Sequence, residues 1–202
     1  MVKRRIIILS ILILSIFCIT GCKKSEDLRK DQIKFKEEYE SLNKTNDKEG
    51  NLYRTITISE KNPIIYTSTD ELIESINNKE SFIVFFGDST SSWCRSVTPY
   101  MIDQANTQGI DRIYYISLLQ DEQEGVKALD GDISFQQIKE SLSKDKIDSP
   151  TLAVYINGKA SSSTSGISSK QTDANQELSG EMIRESKDMF KQIFSIYNSN
   201  RK

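Results

Sequence analysis

The sequence predicts an α/β domain: a mixed sheet with helices on both faces. Three observations carry this. The elements alternate in the order β-α-β-α-β-α-β-β-α, the run Phe82-Ile83-Val84-Phe85-Phe86 is apolar at every position, and Asn157-Gly158 separates two extended segments. Alternating strands and helices imply crossovers between parallel neighbours. An unbroken apolar run suits a central strand covered on both sides. Asn-Gly between strands is the strongest short-range hairpin signal and adds an antiparallel pair.

Residues 23–50 are polar, with Leu28, Phe35, Tyr39 and Leu42 at helical spacing. The expectation is a solvated spacer whose one amphipathic helix packs only loosely. Asn62–Tyr66 reads as a short strand and Ser68–Asn77 as a helix, with Ser68 and Glu71 at capping-box spacing and Leu72, Ile73 and Ile76 facing inward. After the apolar run, Trp93–Gln108 reads as a helix interrupted by Pro99, and Ile110–Leu119 as a strand. A helix led by Ser134 carries Phe135, Ile138 and Leu142. Thr151–Ile156 is the next strand. Beyond the Asn157-Gly158 turn, a brief last strand gives way to a long Ser/Thr-rich loop over Ser161–Gln176, and Met182, Met189, Phe190, Ile193 and Tyr197 mark a closing helix.

The amino end carries a different message. Lys3, Arg4 and Arg5 precede an apolar run from Ile6 to Ile19, too short to span a bilayer, which takes about 20 apolar residues. A positive start, a short apolar stretch and small residues form the pattern of a secretory signal. The following Ile19-Thr20-Gly21-Cys22 resembles the lipobox of bacterial lipoproteins. That resemblance implies cleavage before Cys22 and a diacylglyceryl group on its thiol, and two acyl chains anchor stably where one does not. The expected organisation is a signal over 1–21, a polar tether over 22–51 and a folded domain over 52–202, on the outer face of the cell membrane.

Cys18 would leave with the signal and Cys22 would be blocked by lipid, so Cys94 is the one free thiol of the mature chain. No disulfide can form within it, and stability has to come from packing. Loss of the signal leaves 24 basic residues against 29 acidic, a net charge of −5. That balance gives no footprint for nucleic acid. With no histidine in 202 residues, imidazole-based triads and metal sites are excluded. Asp121, Glu122, Glu124, Asp130 and Asp132 do not follow the EF-hand spacing and read as a solvated acidic loop, so no metal is expected. The hydroxyls of 161–176 have no base to activate them.

The chemistry-bearing segment is Phe85-Phe86-Gly87-Asp88-Ser89-Thr90-Ser91-Ser92-Trp93-Cys94-Arg95-Ser96-Val97-Thr98-Pro99, with Ser149-Pro150-Thr151 preceding the Asn157-Gly158-Lys159 hairpin. A buried strand, a loop, a cysteine at a helix start, a proline five residues later and a second proline opening a hairpin resemble the thioredoxin superfamily. Within it, the chain is most similar to exported thioredoxin-like proteins of Gram-positive bacteria, including the bacteriocin-transport accessory type, over roughly 62–198. The resemblance implies a thioredoxin fold with no cofactor. It implies that Cys94 is the second, resolving cysteine of C-x-x-C, that Ser91 stands in place of the attacking cysteine, and that Ser149-Pro150 is the cis-proline loop facing them. Phe85 stands where the proton-transferring acid would lie.

These departures bear on function. Thiol–disulfide turnover needs one thiolate to attack and a second thiol to resolve the mixed disulfide. A serine hydroxyl cannot replace the first, and a thiol one helical turn inward should have a raised pKa. Ordinary dithiol turnover is therefore not expected. The reading is an anchored protein with a degenerate redox site, acting by binding an envelope client. The alternatives are an oxidoreductase using Cys94 alone or with a partner's thiol, and a small-ligand binder. Trp93 and Arg95 belong either to a partner-binding surface, since both types are enriched at binding hot spots, or to scaffolding inherited with the site.

Overall fold

The computed structural model describes residues 28–118 and 129–201. The proposed lipidation site Cys22, the preceding signal and most of the acidic loop, including Asp121, Glu122 and Glu124, lie outside them. Helix α1 covers 28–40. It is followed by β1 (Ile64–Tyr66), α2 (Thr69–Asn77), β2 (Phe82–Gly87), α3 (Ser92–Thr107), β3 (Ile113–Ser117), α4 (Ile133–Ser141), β4 (Thr151–Ile156), β5 (Lys159–Thr164) and α5 (Gly180–Asn200). The strands form one sheet in the order β1-β3-β2-β4-β5. β3 runs parallel to both β1 and β2, whereas β4 is antiparallel to β2 and β5 to β4.

The apolar run over 82–86 is the centre of this sheet, and its period of two divides the core. Ile83 and Phe85 point into one cluster with Val97, Met101, Ile102, Phe190, Ile193 and Phe194 of α3 and α5. Phe82, Val84 and Phe86 point into the other, with Leu72 of α2 and Phe135 and Ile138 of α4. Leu152 and Val154 against Ala153 and Tyr155 repeat the division along β4. The hairpin turn is Asn157-Gly158, both at positive φ (51° and 72°). A Cβ on Gly158 would lie 2.2 Å from the Ile76 carbonyl oxygen, so glycine is required by close approach as well as by φ. Helix α2 has the expected capping box, with Ser68 accepting from Glu71 N and the Glu71 side chain accepting from Ser68 N.

Several expectations need correction. The segment expected to be a spacer is built into the domain: Phe35 and Tyr39 of α1 are fully buried in the first cluster. Phe35 lies 4.6 Å from the Tyr39 ring and edge-on to Tyr115 at 5.0 Å, centroid to centroid. A single amphipathic helix has no pattern that distinguishes a buried face from a half-solvated one. Strand β1 starts at Ile64 because Asn62 is engaged elsewhere, donating from Nδ2 to the Gln32 and Ser59 carbonyls. Strand β3 is five residues long, and the expected Leu119 lies outside the described residues. Asp132 caps α4 in place of Ser134, accepting from Phe135 N at 2.8 Å. Strand β5 takes in Ser161–Thr164, which the sequence reading assigned to loop. Serine and threonine on both faces hide its alternation, and pairing with β4 supplies what hydrophobicity does not.

Candidate functional site

The loop between β2 and α3 is organised by its own side chains. Asp88 Oδ1 accepts from the backbone N–H and the hydroxyl of Thr90, each at 2.7 Å, which turns the chain. Ser91 then caps α3, its Oγ accepting from Cys94 N at 3.3 Å. The hydroxyl at the attacking-cysteine position thus satisfies one of the N–H groups left open at the helix start. Pro99 lies inside the continuous helix one turn further on.

Cys94 is fully buried. Its Sγ accepts from Asp88 N at 3.4 Å and shares a 2.8 Å hydrogen bond with Ser149 Oγ. Burial pushes the thiol pKa up to about 11, partly opposed by the hydrogen bonds of Ser149 and Asp88 N. Phe85, in place of an acid, is buried in the same cluster and stacks on Tyr115. The Tyr39 hydroxyl of α1 is buried with no hydrogen-bond partner among the described residues. Its pKa is raised well above the usual phenol value by burial first, then by the negative charges that would form on Tyr115 and Cys94.

The Ser149-Pro150 peptide bond is cis, and this loop lies against the start of α3 through the Ser149–Cys94 contact. The strand order and the position of this loop decide the fold. It is the thioredoxin fold.

No family model matches the chain, and no curated protein matches it. Among solved structures, the thioredoxin-fold chain is similar to thioredoxin O2 from Arabidopsis thaliana in the oxidised state, with 12% identity, coverage of 66% of this chain and 96% of that one, and a TM-score of 0.39. It is similar to oxidised thioredoxin from Plasmodium falciparum at 14% identity, 64% and 94% coverage and a TM-score of 0.35. For Chlamydomonas reinhardtii thioredoxin f2 the identity is 12%, the coverage 50% and 82%, and the TM-score 0.34. The fold assignment rests on topology and not on these similarities.

The structure brings Ser91, Cys94, Ser149 and Pro150 together as expected and leaves Trp93 half-buried beside them. Arg95 is corrected. It is fully buried and cannot belong to a partner-binding surface. Its guanidinium donates to the Arg54 carbonyl from Nε (2.9 Å) and Nη2 (2.6 Å), to the Tyr39 (2.8 Å) and Ser89 (3.2 Å) carbonyls from Nη1, and to Asn43 Oδ1 (2.8 Å) from Nη2. Every one of these acceptors is neutral. The Tyr39 carbonyl is in the last turn of α1, where the helix dipole favours a cation. Arg95 therefore ties the end of α1, the 41–58 segment and the site loop to the first turn of α3.

Sequence reasoning missed Asp88, Tyr39, Asn43 and Arg54. Asp88 had a usable signal, since Asp two residues before Thr marks a side-chain-stabilised turn. The others act through a hydroxyl, an amide and a carbonyl brought from more than 40 residues away, and no local pattern announces that.

Proposed function

We propose that this protein is a lipid-anchored, extracytoplasmic thioredoxin-fold protein that acts by binding an envelope client, without dithiol turnover. The thioredoxin fold points to a thiol-related ancestry, and the finer reading comes from the site. The observation that carries it is the state of Cys94: a fully buried thiol with its pKa near 11, whose pairing position holds a serine engaged in capping the helix. At neutral pH such a group is almost entirely protonated, and only the thiolate attacks a disulfide. Nothing else among the described residues can resolve a mixed disulfide, because Cys94 is the only free cysteine there. The half-buried Trp93, Ser149 and a groove lined by Phe135, Lys139, Ile147 and Asp148 offer a surface beside the old redox position.

Insulin reduction tests the redox half of this reading. Wild type should not turn over, and Ser91→Cys should form a 91–94 disulfide and gain some reductase activity, at a cost of about 1 kcal/mol for the lost cap. Wild-type turnover that vanishes in Cys94→Ala would establish a monothiol enzyme instead. The anchor half rests on Ile19-Thr20-Gly21-Cys22. Labelled fatty acid should be incorporated into the wild type and not into Cys22→Ala.

A further inference from the structure

We infer that the outward face of the first half of α1 rests on an anionic bilayer; this builds on the reading that Cys22 carries the lipid. The argument begins with reach. Residues 28–40 are folded onto the core, so five residues, 23–27, lie between Cys22 and the first described residue of α1. Six Cα steps span at most about 22 Å when fully extended. A chain this short cannot lift the domain far from the surface that holds it.

The face nearest that anchor has the composition for the contact. The exposed positions of α1 are Arg29, Lys30, Ile33, Lys34 and Glu37, on the side opposite the buried Phe35 and Tyr39. Ile33 is one of three exposed large hydrophobic residues among the described residues, and Arg29 and Lys30 lie one turn before it on the same helix. Lys34 lays its ammonium over the Tyr66 ring at 4.1 Å from the centroid. Asp31 is turned inward, accepting from Tyr66 N at 3.2 Å, and the first outward acid is Glu37. The five connecting residues balance Lys23 and Lys24 against Glu26 and Asp27, and α1 balances four cations against four acids, so the positive excess belongs to the outward face of its first half alone. Positions 29–34 rise only about 8 Å along the axis, comparable to the Debye length of roughly 8 Å at physiological ionic strength. A basic helical face with an apolar centre, held that close, meets an anionic surface with complementary charge.

The test uses the full-length lipidated protein in vesicles of phosphatidylcholine, with or without about one-third phosphatidylglycerol. An environment-sensitive fluorophore is placed at Ile33→Cys, and at Ser163→Cys on the opposite sheet edge as a control; the buried Cys94 stays protonated at neutral pH. The expected result is a blue shift at position 33, quenched by brominated lipid, in anionic vesicles only and lost at high salt. Position 163 should not respond. Arg29→Gln/Lys30→Gln/Lys34→Gln should reduce the docked fraction at least about tenfold while fatty-acid label on the same preparation is unchanged. Absence of that label overturns the anchor and this inference together. Label present with identical spectra in both vesicle types overturns the inference alone. A blue shift in neutral vesicles that grows with protein density identifies a second copy as the occupant and also overturns it.

Discussion

Arg95 offers the most demanding prediction, because the sequence leaves it between a binding surface and inherited scaffolding and the structure places it at the centre of a junction. Replacing it with methionine keeps the length and apolar volume of the side chain and removes every donor. Five hydrogen bonds to four acceptors are lost. Hydrogen bonds from charged groups contribute about 1.5–3 kcal/mol each in isolation, but the buried guanidinium also carries a desolvation cost of several kcal/mol, so the contributions do not add. Burial does lower the pKa of Arg95, in keeping with that cost. What remains in Arg95→Met is a set of under-satisfied acceptors and a broken junction, for which a loss of about 3–5 kcal/mol is expected. Against a typical domain stability of about 5–15 kcal/mol, that is roughly a fifth at the least. Urea denaturation followed by Trp93, the single tryptophan, measures it. Hydrogen exchange should locate the damage in 41–58 and the end of α1, with the central strands least affected. Arg95→Lys should recover less than half of the loss, since a single ammonium cannot reach acceptors arranged for a fork. A loss below about 1 kcal/mol in Arg95→Met, with 41–58 still protected, would refute the junction.

Two further outcomes follow from the same core. The folded-state pKa of Cys94 is raised from 9.0 to about 11, so the protonated thiol favours the folded state, fully below pH 9 and decreasingly as pH rises through 11. Wild type should lose about 1.4 kcal/mol relative to Cys94→Ala between pH 8 and pH 10. Burial holds Tyr39, Tyr66, Tyr115 and Tyr155 above the usual phenol range, so they stay protonated in both folded proteins across this window; parallel pH–stability curves would place the thiol in contact with water. Phe35→Ala should cost about 3–5 kcal/mol by denaturant titration, the usual range for a buried aromatic. A cost within about 0.5 kcal/mol would restore the view of α1 as a loose spacer.

How much of the site could be read in advance differs from residue to residue. The positions of Ser91, Cys94, Ser149 and Pro150 were legible because each lies at a fixed offset from a strand, a helix start or the Asn157-Gly158 turn. Their consequences were legible in part. A thiol one turn inside a helix was expected to be hard to ionise, and the buried Cys94 is. That Ser91 caps the helix is legible in a serine preceding a helical pattern. Arg95 defeated sequence logic for a physical reason. Arginine is almost never fully buried unless paired, and the groups that make burial possible here are three backbone carbonyls, which every residue has and no pattern marks, and the side-chain oxygen of Asn43.

The sequence by itself determined the succession of strands and helices and the hairpin turn between the last two strands. An unbroken apolar run, capped amphipathic helices and a tight Asn-Gly turn are local instructions, each enforced by the backbone or by the removal of an apolar face from water. Tertiary structure alone decided which solvent-like segments were in fact interior. Helix α1 and the 41–58 segment are polar enough to stand in water, and only the fit of Phe35 and Tyr39 against β3 and α3, with five donors of Arg95 closing over the top, draws them into the core. Such contacts join residues 40 to 80 positions apart. Their free energy depends on how surfaces meet after the chain has folded, and it leaves no periodicity for a sequence to display.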